Sequence, residues 1–166
     1  MKKNRNIKRN NAGFTLAEVL ITVLILLIVT AIVAAGMPMA QDAFDRAVDA
    51  ANAETLLSTT VTILRGELSE AQYISGTGTR SLVYRSRGGV RTTLSSADGT
   101  PIQINTGAGD VPLVTSETAT ERLHTEFADI SYNDATGVFT VTDLCVVKNG
   151  AAVTTLGTFT VKTVNP

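Results

Sequence analysis

Residues Gly13 to Met37 read GFTLAEVLITVLILLIVTAIVAAGM, and the rest of the chain has to be fitted to them. From Val19 to Met39 the run is apolar except for Thr22, Thr30, Gly36 and Pro38, and no charge falls between Glu18 and Asp42. A bilayer-spanning helix needs about 20 apolar residues, so this run is long enough to cross. Glu18 is the oddity. A carboxylate at the head of a membrane helix is costly and implies a partner.

Charge on either side of the run is unequal. Lys2, Lys3, Arg5, Lys8 and Arg9 precede Gly13 with no acid among them. The whole chain carries −1, so removing those five positives leaves −1 − 5 = −6 for the remainder. The basic head reads as a cytoplasmic flank, which puts everything after the run outside the membrane. The acidic remainder gives no electrostatic footprint for nucleic acid. The chain has one cysteine, Cys145, and one histidine, His124. An intramolecular disulfide is therefore impossible, and no cluster at metal-ligand spacing exists. Neither an enzyme nor a cofactor is expected.

Downstream of the run the pattern turns amphipathic. Phe44, Ala47, Val48 and Ala51 are followed by Leu57, Val61, Leu64 and Leu68, whose spacings of about 4, 3 and 4 hold one helical face. A single helix is predicted from about residue 14 to about 72, some 85–90 Å at ~1.5 Å per residue. Gly36 and Pro38 predict a kink or local unwinding over 34–38, because proline removes a backbone donor and crowds the preceding turn. A helix this long has more apolar surface than the ~95 remaining residues can cover, so part of it must meet lipid or other subunits.

From Ser75 the composition changes to glycine-punctuated segments rich in Thr, Val and Ile. The expected strands are Ser81–Arg85, Val90–Leu94, Ile102–Ile104, Val111–Thr115, Ala128–Tyr132, Val138–Thr142, Leu144–Lys148 and Thr158–Val164. Asn149-Gly150 between apolar runs is a strong hairpin signal, and a further turn is expected over 133–137. A short helix is expected over 116–126, capped by Ser116 or Thr118, and Asp98–Asp110 is expected to be a disordered loop. One antiparallel sheet of four or more strands, covered by the Phe44–Leu68 face of the helix, completes the reading. Tyr73, Tyr84, Phe127, Tyr132, Phe139 and Phe159 are core candidates.

Two conventional readings fit the head of the run. One is a secretory signal peptide cut after Gly36, releasing a binding module. The other is an uncleaved single-pass anchor holding a surface domain. Neither explains Glu18, nor why amphipathic helix continues past residue 36.

Gly13-Phe14-Thr15-Leu16-Ala17-Glu18, with a short basic leader before it and a Val-Leu-Ile run after it, resembles the processing site of type IV pilins and pseudopilins. The resemblance covers roughly residues 1–45. It implies that prepilin peptidase cuts after Gly13 on the cytoplasmic side and methylates the new amine of Phe14. It further implies that Glu18 pairs with the Phe14 amine of a neighbouring subunit during filament assembly. The implied fold is α+β, a long protruding N-terminal helix packed on a C-terminal antiparallel β-sheet. The implied divisions are a leader (1–13), a transmembrane and filament-core helix (14–40), its amphipathic continuation (41–74) and an extracytoplasmic β domain (75–166). The implied partners are prepilin peptidase, other pilin subunits and the cytoplasmic membrane. The implied role is structural, in a type IV pilus or a related type II secretion or competence filament, with a minor pilin or pseudopilin favoured. Cys145 departs from the many pilins that close a C-terminal loop with a disulfide.

Overall fold

The computed structural model describes residues 14–114 and 123–164, and divides into two units, Met1–Asp45 and Arg46–Pro166. Helix α1 (Leu16–Ser69) begins in the first and ends in the second. All the described strands belong to the second unit. The fold class is α+β, with a long N-terminal helix whose later part packs on antiparallel sheets.

In the first unit α1 runs without a break through Gly36 and Pro38. The unwinding expected over 34–38 is absent. Proline deletes only one amide donor, and the helical bonds on either side hold the ladder. Thr22 and Thr30 turn their hydroxyls onto the carbonyls of Val19 (2.8 Å) and Leu26 (2.7 Å). Neither hydroxyl is then left without an acceptor, a requirement for any polar group that faces hydrocarbon.

In the second unit one face of α1 is buried: Ala53, Leu57, Thr60, Leu64 and Leu68. These follow the helical period. Thr60 takes the place that the sequence offered to Val61, which is only partly buried. Its hydroxyl bonds the Leu56 carbonyl at 2.8 Å and lies 3.5 Å from the Thr125 hydroxyl, so a polar group is accommodated in the core. The helix stops at Ser69, short of the expected 72. There the Val164 amide donates to the Ser69 carbonyl (2.8 Å), and Gln72 joins a strand against Arg85.

Two sheets, rather than one, cover that face. The first has the order β1-β2-β3-β4-β5: β1 (Gln72–Ser75), β2 (Ser81–Arg85), β3 (Arg91–Ala97), β4 (Thr100–Asn105) and β5 (Asp110–Pro112). β1 was not expected, and β4 runs through the first half of the expected disordered loop. In the second sheet β8 (Val138–Lys148) is central. β6 (Leu123–Glu126) pairs with its C-terminal end, β7 (Asp129–Asn133) with its N-terminal end, and β9 (Ala151–Lys162) along its whole length. The helix expected over 116–126 is overturned at Leu123–Glu126, which is strand. Pairing with Lys148 to Cys145 outweighs the local propensity there. Ser116 and Thr118 lie outside the described residues. The two strands expected at 138–142 and 144–148 are one strand with an irregular register at Asp143, whose φ is 52°. The Asn149-Gly150 turn is as expected, with φ of 53° and 79°, the positive values a two-residue hairpin requires.

The sheets share one core. Leu82, Tyr84, Leu94 and Ile102 from the first meet Ile130, Phe139 and Val141 from the second, and Phe127 from the link between β6 and β7, over the buried face of α1. Backbone bonds sew the seam: Gly78 N–H to Ile130 O and Ile130 N–H to Thr79 O, both 2.9 Å. Gly76 turns the chain into this seam at φ 97°, where an added Cβ would sit 2.4 Å from the Ser81 carbonyl oxygen. Gly76→Ala is therefore expected to lose about 1–3 kcal/mol or more, read as a lower urea midpoint with unchanged slope.

Candidate functional site

The N-terminus of α1 is built by Thr15 and Glu18. Thr15 is the helix N-cap, and its backbone N–H donates to Glu18 Oε2 at 2.9 Å. Its hydroxyl donates to the same oxygen at 3.0 Å, and the Glu18 N–H approaches the Thr15 hydroxyl oxygen at 3.3 Å. This is a capping box, the reciprocal arrangement of a T-x-x-E sequence. It satisfies amides that the first helical turn leaves without partners, and it sets an anion at the positive end of the helix dipole. Glu18 Oε1 accepts no hydrogen bond among the described residues, so the carboxylate keeps acceptor capacity for a second donor. The spacing of Thr15 to Glu18 is the sequence signal for this cap, which is distinct from the pairing with a Phe14 amine expected of Glu18.

Gly13 lies outside the described residues. Phe14 is 82% exposed, immediately ahead of the cap. From Phe14 to Phe44 every large apolar side chain is about half exposed or more: Leu20 63%, Leu26 66%, Phe44 68%. No part of the most apolar 18-residue window is buried. At roughly 25 cal/mol per Å² this surface cannot be left in water. The helix is long and apolar enough to cross a membrane.

Elsewhere several polar groups tie the elements of the second unit together. Glu126, 8% exposed, accepts from the Gly99 N–H (2.8 Å), lies 2.7 Å from His124 Nε2 and 3.7 Å from an Arg80 nitrogen. Arg80 also holds Asp98 (2.5 Å) and the Phe127 carbonyl (3.2 Å). The buried carboxylate is thereby satisfied, and the β3–β4 turn is tied to β6 across the seam. Lys148 on β8 pairs with Asp49 on α1. Among the described residues no group of three or more His, Cys, Asp or Glu side chains is placed to hold a metal.

Cys145 stands opposite Glu126 in the β6–β8 ladder. Burial, and then the Glu126 and Asp143 carboxylates, push its thiol above the ordinary 9.0, against a smaller opposing effect of Arg80. The protonated thiol is an inert one. Alkylation by iodoacetamide at pH 8 should be several-fold slower in the folded chain than after unfolding. The folded thiol keeps its proton to higher pH than the unfolded one. Its contribution to stability is therefore complete below pH 9 and is lost as the pH rises through the folded value.

Residues 8–34 match the family model described as the prokaryotic N-terminal methylation motif. The match spans the end of the basic head and most of the apolar run, and does not reach the β strands. No curated protein and no solved structure matches the chain.

Proposed function

We propose that the chain is the precursor of a filament subunit of the type IV pilin and pseudopilin kind, a minor pilin or pseudopilin of a pilus or of a related secretion or competence filament. Prepilin peptidase removes residues 1–13 and methylates the amine of Phe14. Residues 14–40 hold the subunit in the cytoplasmic membrane with the β domain outside, until the helix exchanges lipid for the helices of neighbouring subunits. The observation that carries this reading is the methylation motif over 8–34, set directly on an exposed apolar helix that opens with Thr15 and Glu18.

The cap explains how Glu18 serves both stages. In the single subunit, Thr15 and the helix dipole compensate the carboxylate at the membrane face. In the filament its open oxygen takes the methylated ammonium of a neighbouring Phe14, and that contact sets the stagger between subunits. Cleavage after Gly36 would instead sever α1 inside a continuous helix. The intact mass and N-terminal sequence of the mature chain test the reading. N-methyl-Phe14 is expected. A chain beginning at Met37 would make it a secreted module, and retention of residues 1–13 an uncleaved anchor.

A further inference from the structure

The β2–β3 hairpin is a strongly basic feature of the second unit. Ser81 to Ala97 contains Arg85, Arg87 and Arg91 and no acid. Arg87 is accounted for within the chain. It pairs with Glu70 at 3.0 Å, just beyond a helix end whose last turn has no basic residue. Arg85 and Arg91 are not. They are direct cross-strand partners, both exposed on the outer face of the sheet, and neither has an ion pair among the described residues. Like charges placed directly opposite destabilise a sheet. Beside them lies an open groove of about 440 Å³ lined by Gln72, Arg85, Arg87 and Gly89, together with the Glu70 carboxylate that Arg87 already pairs.

The complement lies on α1. The remainder after the basic head carries −6, so with the three hairpin arginines set aside the rest carries −6 − 3 = −9. Asp42 and Asp45, three residues apart and both exposed, share one helix face and have no ion pair among the described residues. Phe44 is exposed beside them, an aromatic face on which a guanidinium can stack. Asp49, one turn on, is already held by Lys148.

From this charge pattern we infer that the Arg85–Arg91 hairpin of one copy docks on the Asp42–Asp45 stretch of a second copy. A basic patch cannot face its own image, so a two-fold dimer through the hairpin is excluded. The contact is head-to-tail, and head-to-tail contacts that do not close produce open filaments. The inference rests on the filament reading and names the surface that reading lacks. The Asp42–Asp45 stretch follows directly on the span proposed to leave lipid for neighbouring subunits.

Disulfide trapping in the full-length chain tests it, in membranes that supply prepilin peptidase. Gln41→Cys and Gly88→Cys are introduced into a Cys145→Ala background; a Cβ at Gly88 meets nothing within 4 Å. Both cysteines in one chain should give a ladder of multimers on mild oxidation. Divided between two co-expressed chains, they should give dimers only. Arg85→Glu should act in opposite directions on fold and assembly. It turns a repulsive cross-strand pair into an attractive one and raises the unfolding midpoint, while cutting the trapped species roughly tenfold. Adding Asp42→Arg and Asp45→Arg to Arg85→Glu with Arg91→Glu should restore trapping. The inference is overturned if N-methylated, assembled chains give no disulfide between positions 41 and 88, or if Arg85→Glu leaves trapping unchanged. Unmethylated chains without filaments would overturn the filament reading instead, and the trapping assay still reports the contact by itself.

Discussion

Glu18→Gln should yield chains that are cut after Gly13 and methylated at Phe14 but are excluded from filaments. Glutamine keeps a carbonyl oxygen for the Thr15 amide and hydroxyl, which Glu18 Oε2 now receives at 2.9 and 3.0 Å. The helix start therefore survives, and so does the segment presented to the peptidase. What disappears is the negative charge. Truncating one partner of a desolvated charge pair leaves the other ion buried alone. The size of such losses predicts a fall in filament incorporation of at least about thirtyfold. Thr15→Val separates charge from cap. It deletes the hydroxyl and its bonds to Glu18 but retains the carboxylate and the backbone amide, so assembly should persist with a weakened helix start. Intact mass gives processing, and the sheared filament fraction gives incorporation. Normal incorporation of Glu18→Gln would remove the charge from the mechanism.

Much of the architecture was legible because its causes are local. The apolar run needs only a count, and the buried stripe Leu57, Leu64 and Leu68 only a period. Asn149-Gly150 turns as read because its positive φ values come from the residues themselves. The rest depends on what meets across the fold. Leu123–Glu126 looked helical until Lys148 to Cys145 lay beside it. Glu126 is buried because the Gly99 amide and Arg80 converge on it, and nothing in its neighbourhood in sequence announces either. Asp143 suggested a break between two strands, yet a single residue at positive φ lets β8 continue past it. At the site the balance reverses. The T-x-x-E cap is entirely local, and its signal is the three-residue spacing from Thr15 to Glu18.

Leu64→Ala should be the most damaging of the single truncations on the helix face. Leu64 is fully buried in the cluster where α1 meets residues of both sheets. Its removal opens a cavity that neither sheet is free to fill, because the seam at Ile130 and the Arg80–Glu126 ties fix them against each other. Leucine-to-alanine changes at such positions cost about 2–5 kcal/mol. The rigid surroundings put this one in the upper half of that range. Set against a typical stability of about 5–15 kcal/mol, the loss should lower the urea midpoint of the detergent-solubilised chain steeply and expose the strands to protease. Thr62→Ala is the control. That residue is exposed on the same helix and bonds only the Ser58 carbonyl, at 2.8 Å. Alanine is the better helix former there, so stability should hold or rise slightly. Because the apolar run from Val19 to Met39 has no part in this core, Leu64→Ala should leave membrane insertion unchanged. A variant that still inserts but unfolds at lower urea would show that α1 performs two separate tasks along its length. Equal midpoints for Leu64→Ala and Thr62→Ala would mean that the helix face at Leu64 does not support the sheets.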